Sequence, residues 1–88
     1  MRLDKFLKVS RIIKRRALAK EVCGRQQIKI NDRTAKAGTV VQPGDVLEIL
    51  LGQRLLKIRV TELREAVPAK QAAELYELLE SNRVEIDD

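Results

Sequence analysis

Hydrophobic residues near the start of the chain recur at helical spacing. Leu3, Phe6 and Leu7 lie at positions i, i+3 and i+4, which predicts a short helix over residues 2–8. A second helix is predicted over residues 15–23 because its apolar positions also fall on one stripe. That stripe consists of Leu18, Ala19, Val22 and Cys23.

From residue 27 onward the apolar residues alternate with polar ones, which is the period of a half-buried β-strand. Strands are predicted over residues 27–30, 46–51 and 56–61. The segments that separate them contain the residue types that favour tight turns. These turn signals are Asn31-Asp32, Pro43-Gly44-Asp45 and Gly52-Gln53-Arg54.

Pro68 breaks the strand pattern, and helical spacing returns after it. A third helix is predicted over residues 69–81, and residues 85–88 are expected to be frayed. The apolar stripe of this helix comprises Ala72, Leu75, Tyr76 and Leu79, and its acidic side comprises Glu74, Glu77 and Glu80.

The composition excludes several classes of function. The chain has 88 residues, enough for one domain, and 44% of them are hydrophobic, enough for a core. It contains no His and one cysteine, Cys23, so a disulfide within the chain and the usual zinc ligand sets are excluded. We therefore expect Cys23 to be a core residue, and the protein to be no enzyme and to need no metal or cofactor. The N-terminus does not resemble a signal peptide, and no apolar run approaches a membrane span, which indicates a cytoplasmic protein without a membrane partner.

Charge is distributed unevenly along the chain. Residues 1–36 contain twelve Lys and Arg against three Asp and Glu, a net charge of +9. Residues 37–88 contain six against ten, a net charge of −4, which leaves +5 for the whole sequence. Solubility alone does not require such a basic segment, so we expect an anionic partner.

Most of these cations would share one exposed face if the two helices pack through their apolar stripes. Arg suits such a face because its planar guanidinium grips phosphate oxygens in two places. The cations are spread over two helices and a hairpin, and exposed aromatics for stacking on bases are lacking, which favours folded RNA over DNA or single strands. The candidate RNA-binding residues are Arg2, Lys5, Lys8, Arg11, Lys14, Arg15, Arg16, Lys20, Arg33 and Lys36, and Lys29 would lie beside the last two.

Five motifs follow one another through the first half of the chain: Arg2-Leu3-Asp4-Lys5-Phe6-Leu7, Arg11, Lys14-Arg15-Arg16-Ala17-Leu18-Ala19, Ile28-Lys29-Ile30-Asn31 and Pro43-Gly44-Asp45. In this order and spacing they resemble the RNA-binding domain named after small-subunit ribosomal protein S-four. The resemblance implies an α+β fold in which two N-terminal helices pack on a small, bent, mainly antiparallel sheet, with a C-terminal helix. It places the RNA-binding domain at residues 1–65, with residues 66–88 as a C-terminal helix and acidic tail of the same compact unit.

Within this family the chain resembles the stand-alone RqcP group of ribosome-associated quality-control factors, including the Gly52-Gln53 turn and the Ala-rich C-terminal helix. That resemblance implies binding to the large ribosomal subunit after a stalled ribosome has split. The implied partners are large-subunit rRNA, the tRNA that carries the nascent chain, and an RqcH-type protein that appends C-terminal alanine tails. We expect a monomer.

Three alternatives stay open at this point. The chain is also similar to the fifteen-kilodalton heat-shock protein of proteobacteria, which would make it a recycling factor for split large subunits. A protein-interaction adaptor would use the acidic C-terminal helix as its working surface. A DNA-binding regulator would use the basic segment.

Asp4, Gln26 and Asp32 each carry a separate expectation. Asp4 would repel phosphate, so we interpret it as a helix cap or as a partner that orients a nearby Arg. Many family members have Gly at the position of Gln26, where a positive φ would strain Gln, so we expect the turn to shift toward Gly24. Asp32 replaces a frequent Gly in the first hairpin turn at small cost.

Overall fold

The computed structural model describes residues 1–84, and the frayed end expected over residues 85–88 lies outside this range. Two α-helices come first, five strands form one antiparallel sheet, and a 3₁₀ helix precedes the last strand. The helices are α1 (Leu3–Val9) and α2 (Arg16–Gly24), and the 3₁₀ helix spans Ala69–Leu75. The strands are β1 (Ile28–Ile30), β2 (Arg33–Thr34), β3 (Val46–Leu51), β4 (Arg54–Val60) and β5 (Tyr76–Arg83). Their order in the sheet is β2-β1-β3-β4-β5.

Both helices pack on one face of the sheet, which confirms the α+β class with two N-terminal helices. Leu47 and Ile49 of β3 and Ile58 of β4 are at most 1% exposed beneath them. The expected core residues of the helices, which are Leu3, Leu7, Ala19 and Val22, are all buried. The prediction for Leu18 was wrong: its side chain is 46% exposed, because it lies beside the buried stripe of α2 rather than on it.

The first helix is fastened to the loop that follows β2. The backbone N–H groups of Leu3 and Asp4 donate to the carbonyl oxygens of Thr39 (2.8 Å) and Ala37 (3.2 Å). These donors have no partner within α1, since the first N–H groups of any helix lack an acceptor one turn earlier. The loop therefore supplies the cap that the side chain of Arg2 does not provide.

The predicted turns are confirmed. Asn31 and Asp32 have φ angles of 50° and 70°, as a two-residue hairpin turn requires, and Gly44 and Gly52 also adopt positive φ. Asn31 ties the first hairpin to β3, because its amide donates to Asp45 (3.1 Å) and its oxygen accepts from the N–H of Val46 (3.0 Å).

The helix predicted over residues 69–81 is present only in its first half. The 3₁₀ helix ends at Leu75, and Tyr76 begins a strand with φ −149° and ψ 160°. The residues from Tyr76 to Arg83 pair with β4 across the sheet, with a bulge between Lys57 and Ile58. Pairing with a distant strand therefore overrides the helical spacing of the sequence.

The expected shift of the turn toward Gly24 was wrong. Gly24 is the last residue of α2, and the positive φ of 60° falls on Gln26 itself. The chain accepts this strain because the N–H of Gln27 then reaches the carbonyl of Val22 (3.2 Å) and closes the end of the helix.

The face of the sheet that points away from the helices, called the outer face below, carries charges in alternating rows. Lys29 of β1 lies opposite Glu48 of β3, which lies opposite Lys57 of β4, and Lys57 lies opposite Glu80 of β5. In the next row Arg59 donates to Glu77 (3.3 Å). Opposite charges in register across strands stabilise each other, so this face largely neutralises itself.

Candidate RNA-binding surface

The starts of the two helices meet at one buried carboxylate. Asp4 has no solvent exposure, whereas Arg2 and Arg16 keep about half of their side chains exposed. Arg2 donates through Nε to Asp4 Oδ1 (3.1 Å) and through Nη2 to Oδ2 (3.5 Å), and Arg16 donates through Nε to Oδ2 (3.4 Å). Asp4 thus holds two guanidinium groups side by side, as expected for a residue that orients a nearby Arg.

The electrostatics of Asp4 keep it ionised despite its burial. Burial alone would raise the pKa of this carboxyl. The hydrogen bond from Arg2, the backbone N–H of Lys5 (2.9 Å) and the charges of Arg2 and Arg16 outweigh it, so the pKa lies below its ordinary value. The two arginines share one negative charge, which leaves a net positive surface.

A groove runs beside this cluster between α1, the loop that joins the helices, and the loop that follows β4. We call it the cationic groove; it is lined by Lys5, Lys8, Val9, Arg11, Lys14, Arg16, Glu65, Ala66 and Val67. Five of the ten predicted RNA-binding residues therefore lie around one concave surface. Arg11 reaches it from a left-handed backbone conformation (φ 60°).

The other predicted cations do not line the groove. Arg15 and Lys20 are exposed on the first turns of α2. Arg33 lines a separate concave surface with residues of the first hairpin and of the following loop. Lys36 belongs to the loop that caps α1. The same loop passes close to Arg2, because a Cβ added at Gly38 would lie 3.8 Å from the Arg2 guanidinium.

One wall of the groove was missed from the sequence. Glu65, Ala66 and Val67 come from the loop between β4 and the 3₁₀ helix, and Glu65 forms an ion pair with Lys5. The partners are sixty residues apart, so no local pattern announces the contact. The only sequence signal was the break at Pro68, which indicates a loop near Glu65 but not its contact with α1.

The remaining chemistry is limited. Cys23 is buried in the core, as expected, and this burial raises the pKa of its thiol to about 11. Within residues 1–84 no three His, Cys, Asp or Glu side chains gather into a group that would hold a metal ion. No helix in this part of the chain is long and apolar enough to cross a membrane.

The comparisons with known proteins agree with this geometry. The family model of the S4 domain matches residues 1–47. A protein of Halalkalibacterium halodurans named RQC P-site tRNA stabilizing factor is 56% identical over 78 residues, which cover 89% of this chain and 89% of that protein. A Bacillus subtilis protein of the same name is 49% identical over 84 residues, covering 96% of this chain and 98% of the relative.

A solved structure gives the same fold. The trimeric structure of Vibrio cholerae Heat Shock Protein 15 superposes with a TM-score of 0.83 at 26% identity, covering 90% of this chain and 81% of that one. The chain therefore belongs to the S4 domain family, a family of RNA-binding domains. The resemblance to the quality-control factors and to the heat-shock protein is confirmed.

Proposed function

We propose that this protein is an RNA-binding factor of the large ribosomal subunit that stabilises P-site tRNA during ribosome-associated quality control. The observation that carries the proposal is the arrangement of Arg2 and Arg16, which Asp4 holds together at the edge of the cationic groove. Two oriented guanidinium groups beside a concave basic surface fit a bent run of RNA phosphates. The names of the relatives support the same role.

The binding surface in this proposal consists of the ten cations predicted from the sequence. The residues of the groove would contact phosphates directly, and Arg15, Lys20, Arg33 and Lys36 would extend the contact to neighbouring strands of RNA. Such contacts recognise shape and charge rather than base sequence. Residues 1–65 are the proposed RNA-binding domain, and residues 66–88 belong to the same unit.

The partners follow from this role. The protein would bind large-subunit rRNA and the tRNA that still carries the nascent chain, as a monomer and in the cytoplasm. It would support an RqcH-type protein in adding C-terminal alanine tails. The protein itself would perform no catalysis, since peptide transfer belongs to the ribosome.

A second candidate is a recycling factor for split large subunits, which the close superposition on Heat Shock Protein 15 supports. The adaptor alternative loses its working surface, because the acidic residues Glu77 and Glu80 lie on a strand opposite Arg59 and Lys57 rather than on a free helix.

The structure offers a matched pair of arginines for a binding test. Arg16 and Arg59 are 45% and 49% exposed, and each forms an ion pair with one acid, but only Arg16 lies at the cationic groove. In a titration with a structured RNA such as tRNA, Arg16→Gln should weaken binding and lower the slope of log K against log salt by about 1. Arg59→Gln, with the same change in net charge, should leave both unchanged. Equal effects of the two variants would contradict the proposed surface.

The role in cells is tested by Arg2→Glu and Arg16→Glu. Reversal replaces attraction with repulsion for phosphate, so both variants should lose co-sedimentation with large subunits and alanine tailing of a stalled reporter. Both arginines pair with the buried Asp4, so a thermal melt must first show that each variant is folded at the assay temperature. Lys14→Glu reverses a charge of the groove without touching Asp4 and should give the same loss of binding. A different result would favour the heat-shock-type candidate: variants that still co-sediment with large subunits and support normal alanine tailing, but no longer recycle split large subunits.

A further inference from the structure

Glu65 is the acidic side chain among the cations and aliphatic residues that line the cationic groove. Its carboxylate binds the ammonium group of Lys5 on α1. The Glu65 side chain is 81% exposed and that of Lys5 is 35% exposed, so the pair faces the opening of the groove. A phosphate that enters the groove would seek the same ammonium hydrogens, and the two anions would compete for Lys5.

The loop that presents Glu65 is anchored on both sides. Arg64 grips Glu62 with two hydrogen bonds (2.6 and 2.9 Å) and donates to Gln71 of the 3₁₀ helix (3.2 Å). After Glu65, Val67 packs against the core. A short segment fixed at both ends keeps the carboxylate at the groove, unlike an acid on a free surface loop.

The charges around the pair show why Lys5 differs from its neighbours. Its ammonium donates to Glu65 and lowers the pKa of that carboxyl, which is therefore fully ionised at neutral pH. Within residues 1–84, the groove residues Lys8, Arg11 and Lys14 form no ion pair with an acid. Lys5 thus has an acid partner in the free protein, whereas these three cations have none within the described residues.

We propose that Glu65 is a built-in competitor for RNA phosphate: it occupies Lys5 in the free protein and is displaced when RNA fills the cationic groove. The inference rests on the proposed function and adds a residue that lowers the affinity of the groove for anions in general. Breaking the Lys5–Glu65 ion pair offsets part of the binding free energy that a phosphate gains at Lys5. This cost is the same for every ligand that takes over Lys5, so Glu65 sets a threshold of affinity: a ligand that also contacts the other cations still binds, whereas one that contacts Lys5 alone binds too weakly to be retained.

The test compares Glu65→Gln with Glu77→Gln, which removes the same charge from an exposed ion pair on the outer face. In titrations with tRNA, Glu65→Gln should bind about two- to five-fold more tightly, the range for one exposed ion pair. Its salt slope should steepen by up to about 1, because salt weakens the competing Lys5–Glu65 pair of the wild type and so partly offsets the loss of RNA binding there, an offset that Glu65→Gln removes. Glu77→Gln should match the wild type. In a Lys5→Gln background, Glu65→Gln should have no further effect.

Each other outcome overturns the proposal in a recognisable way. Equal tightening by both variants would mean that only net charge matters. Weaker binding by Glu65→Gln would mean that the carboxylate itself contacts the RNA.

A second arm separates this inference from the proposed function. Inorganic pyrophosphate, followed by NMR shifts of the Lys5 and Glu65 amides, should bind Glu65→Gln more tightly than the wild type or Glu77→Gln. If the wild type fails to bind tRNA, the proposed function fails, and the pyrophosphate result alone decides whether Glu65 competes for Lys5. Identical pyrophosphate affinities in all three proteins would refute the competition.

Discussion

The helical side of this protein and the outer face of its sheet both carry exposed cations, but the two surfaces differ in where acidic side chains lie relative to these cations. On the outer face Lys29, Lys57 and Arg59 each lie opposite an acid of a neighbouring strand, and Arg59 forms an ion pair with Glu77. On the helical side two arginines share the single charge of Asp4, and most groove cations have no acid partner in the described chain. The pairing of charges, more than their number, decides which surface is available to an anionic ligand.

The two sides also differ in what lies under them. α1 and α2 rest on fully buried aliphatic side chains, whereas the apolar residues of the outer face, such as Leu50 and Leu55, are only half-buried. The cations of the groove are therefore held by the core of the domain, and their spacing depends on its integrity.

The largest expected effect comes from breaking that support. Leu7 has no solvent exposure, so Leu7→Ala should reduce the free energy of unfolding by about 2–5 kcal/mol. Leu55→Ala on the outer face should cost about 1 kcal/mol or less, since its side chain is already partly in water. Urea melts of both variants measure the difference. Similar costs would show that the helices contribute no more to the core than the outer face does.

Sequence reasoning succeeded where the determinants are local. The stripe of Leu3, Phe6 and Leu7 and the turn residues Asn31 and Asp32 act within a few positions of themselves, and the structure follows them. The gathering of cations on one side was also predictable, because two amphipathic helices that share a core must expose their charged sides together.

Predictions from the sequence failed where a contact between residues far apart in the chain determines the local structure. Residues 76–81 have helical spacing, but β4 offers them an open edge with acceptors and matching charges, and they form a strand. Glu65 reaches Lys5 only because the sheet brings the loop after β4 beside α1. Neither contact produces a repeating pattern of hydrophobic and polar residues from which it could have been predicted.

A smaller effect is expected from Asp4. Asp4→Asn leaves two guanidinium groups without their counter-charge and should cost about 1–3 kcal/mol at pH 7. Because the folded state lowers the pKa of Asp4, its contribution is present above its ordinary value of about 3.8 and disappears as the pH falls through the lower folded-state value. The difference in stability between the wild type and the variant should therefore shrink as the pH falls below 3.8, as urea melts at pH 7 and at progressively lower pH would show.

The outer face supplies the control for Asp4. Glu48 lies between Lys29 and Lys57 in a partly exposed row, so Glu48→Gln should change stability by about 0.5 kcal/mol or less at pH 7. If Glu48→Gln cost as much as Asp4→Asn, burial would not distinguish the two carboxylates, and the contrast between the two sides would fail.

Small gains in stability are expected at two strained residues, one on each side. Arg11 at the groove and Gln26 near the outer face both have φ of 60°, a conformation that costs a side-chain-bearing residue about 1 kcal/mol relative to glycine. Arg11→Gly and Gln26→Gly should each stabilise the fold by up to about 1 kcal/mol, less the entropy that glycine adds to the unfolded chain.

Their effects on RNA binding should separate. Arg11→Gly removes a groove cation and should weaken tRNA binding and lower the salt slope by about 1, whereas Gln26→Gly should leave binding unchanged. Thermal melts and salt titrations of the two variants provide both measurements. A gain in stability with a loss of binding for Arg11→Gly would mean that the strain at this position is tolerated because of what its side chain binds. If Arg11→Gly bound tRNA as tightly as Gln26→Gly, strain at the groove would have no more functional meaning than strain on the outer face.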